Sequence, residues 1–177
     1  MRLHFIIPVK DHETQISRLL KGIPEAERVM VVDYGSRDNT DALAKILGAR
    51  VLYSRAEDPG AACQKALRYS NYYEPDAIVF CTPEQDPSII PKLISGLEKN
   101  AVVVARDGVH VSAQDRFLNG MHSAWLRFRY GASVGSLAPF LAVRFKDVQP
   151  LHVSEGNGWH RSIVLSACKA GRKVASV

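Results

Sequence analysis

Over its first 106 residues the sequence alternates short, wholly apolar runs with longer segments whose apolar residues recur every three or four positions. This alternation constrains the fold more than any other feature. A strand without polar alternation needs cover on both faces, and a strand–helix–strand repeat supplies it by laying helices over both sides of a parallel sheet. Residues 3–7, 28–32 (R-V-M-V-V), 50–54, 77–81 (A-I-V-F-C) and 101–105 (A-V-V-V-A) read as strands. Between them Ile16, Leu19, Leu20 and Ile23 mark one helical stripe, 41–47 a second helix closed by Gly48, 60–70 a third, and 88–98 a fourth opened by Pro87 and Ser88.

Beyond Arg106 the pattern changes. Residues 114–130 place Phe117, Met121, Trp125 and Phe128 at helical spacing with Arg116, Arg127 and Arg129 between them. That stripe reads as a core-facing side, with an aromatic, arginine-studded surface near a membrane as the alternative. Residues 140–145 read as a strand, 160–170 as a helix ended by Gly171, and 173–177 as a last strand. With 177 residues and no repeat or low-complexity linker, one α/β domain over residues 1–177 is the expectation.

Charge divides the chain. Residues 1–100 carry 13 basic and 14 acidic side chains, whereas residues 101–177 carry 10 and 4. The basic surplus points to an anionic partner for the C-terminal part. Its basic residues are not clustered and match no nucleic-acid motif, so no nucleic-acid partner is expected. Cys63, Cys81 and Cys168 are odd in number and widely spaced, which argues against a disulfide framework and fits a reducing cytoplasm. The N-terminal apolar run is too short for a signal peptide, and the longest uncharged stretch, 130–143, has 14 residues against the ~20 a spanning helix needs.

In open α/β sheets ligands sit beyond the carboxyl ends of the strands, so the residues just after each apolar run carry the functional information. Here they are I-P-V-K-D-H-E at residues 7–13, V-V-D-Y-G-S-R-D-N-T at 31–40, C-T-P-E-Q-D-P at 81–87 and V-A-R at 104–106. In order and spacing these segments resemble those of the family 2 glycosyltransferases of the GT-A fold, most of all the polyprenyl-phosphate sugar transferases. That family reads I-P-x-Y-N-E-E, V-V-D-D-G-S-x-D-G-T, D-A-D-x-Q-H-P and G-S-R. Further on, Ala138-Pro139-Phe140, Gly156-Asn157-Gly158-Trp159 and the segment from Ala170 to Ala175 resemble its S-G-F, G-Y-G-F and A-G-Y-R-V-A.

The resemblance implies a mainly parallel central sheet flanked by helices, with residues 1–106 as the nucleotide-binding part and 107–177 as the acceptor-side part. It implies a nucleoside-diphosphate sugar as donor. Asp33 then contacts the base, Pro8, Lys10, His12 and Ser36 line the nucleotide, and Arg106 and Arg116 contact the diphosphate. An acceptor such as a polyprenyl phosphate is implied too, with the protein cytoplasmic and peripheral to a membrane. Asp33 is free for that role because Asp38, Asn39 and Thr40 already offer caps to the next helix.

Departures from the pattern concern the metal. Cys81 and Pro83 stand where the family has its metal-binding D-x-D pair, and only Gln85 keeps a side-chain oxygen at a family metal position. Magnesium and manganese take hard oxygen ligands, which a thiol replaces poorly and a proline not at all. Tyr34 replaces the second acidic residue of the D-D pair, and His12 that of N-E. Two readings follow: a glycosyltransferase that stabilises the leaving diphosphate with fixed cations, or a catalytically inactive GT-A domain that binds nucleotide or a partner protein. A hydroxyl acceptor requires a general base, for which Asp107, Asp115, Asp147 and Glu155 are the acids of the last part; a phosphate acceptor requires none.

Overall fold

The computed structural model describes residues 1–24, 28–106, 113–132, 134–135, 137–148 and 151–177, with residues 113–119 and 148 described by their backbone alone. Seven strands, β1 (Leu3–Val9), β2 (Arg28–Asp33), β3 (Arg50–Tyr53), β4 (Ala77–Phe80), β5 (Val102–Val104), β6 (Leu141–Arg144) and β7 (Val174–Ser176), form one sheet in the order β3-β2-β1-β4-β6-β5-β7. All pairings are parallel except those of β6, which runs antiparallel to both β4 and β5.

The apolar runs behave as strands buried on both faces must. Ile6, Met30, Val32, Ile78, Phe80, Val102 and Val104 pack on one side with α3 (Pro59–Asn71) and α6 (Trp159–Lys169). Phe5, Ile7, Val9, Val31, Val79 and Val103 pack on the other with α1 (Glu13–Lys21), α2 (Thr40–Ile46) and α4 (Ile90–Gly96). Successive residues thus alternate between two cores, as the pleat requires. Helix α3 comes close to β1 and β2 because its inner face is small: Gly60, Ala62, Cys63, Ala66 and Ser70 are buried there.

The long helix α5 (Ala113–Tyr130) forms where its spacing predicts, but its apolar stripe is not its core face. Ser123 and Leu126 are buried, whereas Met121, Trp125 and Phe128 are exposed. The side chain of Phe117, the fourth member of the expected stripe, lies outside the described residues. Among the described residues no helix is long and apolar enough to cross a membrane.

Candidate functional site

The chain leaves β1 for β2 and β3 on one side of the sheet and then returns to lay β4 on the other side of β1. The end of β1 is therefore a switch point, where two neighbouring crossovers depart in opposite directions and open a crevice. Pro8 deepens it. The Ile6 carbonyl accepts from Cys81 N on the β4 side and the Val9 carbonyl from Tyr34 N on the β2 side, so Pro8, in phase with Ile6, faces β4. The β1–β4 ladder stops at Ile6 and Phe80 while β1–β2 pairing continues to Val9 and Asp33. A residue without an N–H is tolerated at that point because no ladder bond is asked of it.

Asp33 ends β2 beside this crevice and is only 6% exposed. Its Oδ1 accepts from Gly35 N at 2.9 Å and Ser36 N at 2.8 Å. The carboxylate thus closes the turn that follows the strand rather than capping α2, and Gly35 supplies the positive φ of 117° that this turn demands. Capping of the α2 entrance falls to Asp38, whose Oδ1 accepts from Thr40 N at 3.0 Å. The Ser36 hydroxyl accepts from Asp11 N at 3.1 Å, and Asp11 Oδ1 accepts from Arg37 N at 2.6 Å, so the loops after β1 and β2 are laced together.

His12 crosses the crevice. Its Nδ1 accepts from Lys10 N at 3.2 Å, which leaves Nε2 as the donor to Glu84 Oε1 at 2.6 Å. That bond holds the His12 pKa above its ordinary value and, read from the other partner, holds Glu84 down to about 2. The pair bridges the two walls of the switch point through Nε2–H and the Glu84 carboxylate. Lys10 Nζ in turn pairs with Glu57 at 2.8 Å. Neither Glu57 nor the His12–Glu84 pairing is marked in the sequence: the partners stand 47 and 72 positions apart, and no local motif records such a distance.

The loop that leads into α6, residues 153–158, is tied to the same end of the sheet by Asp58. Asp58 Oδ1 caps α3 at Ala61 N (2.6 Å), and its Oδ2 accepts from Gly156 N at 2.5 Å. Gln64 adds a bond to the Val153 carbonyl at 2.7 Å. Glu155 is exposed on this loop, while Asp147 is engaged by Arg144 at 3.0 Å at the far end of β6.

Other expected site residues fall elsewhere. Cys81 is wholly buried among the apolar side chains beneath α1 and α4, and burial raises its thiol well above the ordinary range, so it is a neutral core residue. Pro83 is buried and has no donor atom. Gln85 sits in the turn closed by its N–H to the Thr82 carbonyl at 3.1 Å. Among the described residues no group of three or more His, Cys, Asp or Glu side chains is placed to hold a metal ion. The residues present do not fit the divalent metal of the D-x-D pattern. Arg106 is exposed at the end of β5, its N–H bonded to the Val177 carbonyl, and β6 stands between its strand and β4. Arg116 belongs to the first turns of α5, its side chain outside the described residues; Asp107 is outside them altogether. A separate apolar cavity of about 820 Å³, bordered by Met1, Ile90, Ile94, Leu97 and Arg144, opens at the opposite end of the sheet, where the parallel strands begin.

No protein-family model matches the chain. Uncharacterised glycosyltransferases of Mycobacterium bovis and Mycobacterium tuberculosis are 24% identical to it over 185 residues, which is 97% of this chain and 81% of each relative. Among solved structures, the glucosyl-3-phosphoglycerate synthase of Mycobacterium tuberculosis in complex with phosphoglyceric acid superposes with a TM-score of 0.80 at 20% identity, over 99% of this chain and 69% of that one. The same synthase in complex with Mn2+, uridine-diphosphate-glucose and phosphoglyceric acid gives 0.78 at 20% identity, with the same shares covered.

Proposed function

We propose that this chain, which has the GT-A glycosyltransferase fold, transfers a sugar from a nucleoside-diphosphate sugar to a phosphate-bearing acceptor without a metal at the D-x-D position. The observation that carries this reading is the convergence at the β1–β4 switch point of a buried carboxylate, Asp33, with the basic side chains of Lys10 and His12. Asp33 closes its turn through Oδ1 and is suited to accept an N–H of a nucleobase. Lys10 and His12 are placed to face a diphosphate, in which negative charge develops as the glycosidic bond to the leaving group breaks. Their carboxylate partners, Glu57 and Glu84, orient both side chains in the free protein, and Glu84 raises the His12 pKa, so that protonation of His12 is favoured where negative charge gathers. Arg106 and Arg116 would extend the cationic wall from the acceptor-side part.

A phosphate acceptor suits this site because its oxygen is already anionic and needs no general base. A polyprenyl phosphate offers such an oxygen, whereas the phosphoglyceric acid named for the solved synthase carries a hydroxyl beside its phosphate and so also offers the other kind of nucleophile. With an acceptor that reacts through a hydroxyl, Glu155 is the exposed carboxylate on the loop held by Asp58.

The test is calorimetry with UDP, GDP and their glucose and mannose conjugates, with manganese or with EDTA, followed by turnover with each acceptor class. Nucleotide binding that survives EDTA, with sugar transfer, supports the reading. Absence of nucleotide binding overturns it. A second reading rests on the loss of both D-x-D carboxylates to Cys81 and Pro83: a GT-A domain that binds nucleotide without turning it over. Binding with no transfer to either acceptor class and no donor hydrolysis selects that reading.

A further inference from the structure

Helix α5 turns toward solvent the side chains that its spacing marks as a single stripe. Met121, Trp125 and Phe128 are 55, 49 and 91% exposed, whereas Ser123 and Leu126 are buried. At about 100° per residue the three exposed side chains fall within roughly 60° of helix surface, on the side opposite Ser123 and Leu126. The stripe is not a scatter of single apolar residues of the kind every protein surface carries. Trp125 packs edge-on against Tyr130 with ring centroids 5.6 Å apart, and the Arg129 guanidinium lies 5.2 Å from the Tyr130 ring, which extends the aromatic patch to the helix end.

Charge identifies what such a face fits. Arg127 and Arg129 are exposed and fall on the two flanks of the stripe. From residue 120 to residue 130 the helix has no acidic residue, and the part of the chain from 101 onward has 10 basic against 4 acidic side chains. A second copy of this face would set arginine against arginine across the pair, so self-association is opposed by like charge. An anionic bilayer answers both features at once. Its acyl boundary accepts the apolar stripe, its phosphates accept the arginines, and arginine stems are long enough to reach upward from a helix lying in the interface.

We propose that α5 docks this protein on anionic lipid membranes, lying in the plane of the interface with Met121, Trp125 and Phe128 inserted and Arg127 and Arg129 on lipid phosphates. The stripe shares no residue with the β1–β4 crevice, and the proposal stands whether or not a nucleotide binds there. The experiment is sedimentation of the full chain with vesicles of phosphatidylcholine, with and without phosphatidylglycerol, alongside tryptophan emission. Trp159 is buried at 2% exposure, so a lipid-induced blue shift reports Trp125. Binding to anionic vesicles only, a blue shift, and about tenfold weaker binding in the Arg127→Gln/Arg129→Gln variant are expected. In the Trp125→Ser/Phe128→Ser variant vesicle binding is lost while its far-ultraviolet circular dichroism and melting temperature match the parent chain. Failure of the parent chain to bind anionic vesicles, or undiminished binding by the stripe variant, overturns the proposal. So does a dimer in light scattering that the stripe variant dissolves, because the stripe then covers a second copy. Vesicle binding by a chain that fails to bind UDP would sink the donor assignment and leave this one standing.

Discussion

His12 and Glu84 form a pair whose stabilising effect has a defined pH window. The folded pKa of His12 is raised above 6.5, so its contribution is complete below that value and fades as pH rises through the folded pKa. Glu84 is lowered from 4.5 to about 2, so its contribution is present above 4.5 and fades as pH falls toward 2. The pair is strongest between those limits. His12→Gln should therefore cost most in urea unfolding near pH 5.5 and least near pH 9, with a deficit of at most about 1 kcal/mol, because Glu84 is substantially exposed. A deficit that grows with pH would show that the pair is not formed. At Asp33 two substitutions separate structure from recognition. Asp33→Asn keeps an Oδ1 acceptor for the turn, so it should hold stability within about 0.5 kcal/mol yet bind uridine nucleotides about tenfold more weakly. Asp33→Ala should lose the turn bonds as well, at about 1–2 kcal/mol in urea titration. The position of these residues after apolar strands was readable in the chain, since strand ends carry sites in this class of sheet. Their partners were not, because Glu57 and Glu84 reach them through strand order rather than through spacing.

Among the elements, α3 joins the two parts of the chain most directly. Gly60 is buried in its first turn, and a methyl group there would overlap the Ser154 carbonyl oxygen and crowd the Glu155 backbone. Gly60→Ala should cost about 1–3 kcal/mol, read as a lower urea midpoint at unchanged slope. Asp58→Ala removes the α3 cap and the bond to Gly156 N together, and should cost about 1–2 kcal/mol while loosening residues 153–158 to amide exchange. Unaltered exchange in that loop would mean that the tether is not Asp58. Among the described residues each expected strand and helix forms within a residue or two of its sequence expectation, apart from α4, whose first turn is a separate 3-10 turn at Pro87–Ile89, while a further 3-10 turn at Phe145–Val148 is unmarked in the sequence. The error was in α5. A period of three to four residues identifies one face of a helix, and that face has the same period whether it turns inward or outward. Ser123 and Leu126, with fewer and smaller apolar groups, are the inward side.

At the scale of the whole molecule, parallel strands follow from apolar runs alternating with amphipathic segments, whereas the placing of β6 between β4 and β5 does not: residues 141–144 carry no mark of direction. The division of charge was readable, and in the structure the arginine flanks of α5 belong to its basic part. Strand order also sets a timetable. β1, β2, β3 and β4 can pair among themselves as soon as residue 80 exists, but β5 has only β6 and β7 as neighbours. During synthesis Val102–Val104 must therefore wait for about 70 further residues before its last partner appears, a delay of roughly 4–14 s at ordinary translation rates. Chains halted before residue 141 should show β1, β2 and β4 amides protected from exchange and a protease-sensitive segment around residues 102–104. Protection of β5 in such chains would mean that it pairs first with a strand it later leaves. Until β6 is made an apolar strand stands without a ladder partner on either side, so the final third of the chain acts as the occupant that keeps β5 from pairing with another molecule.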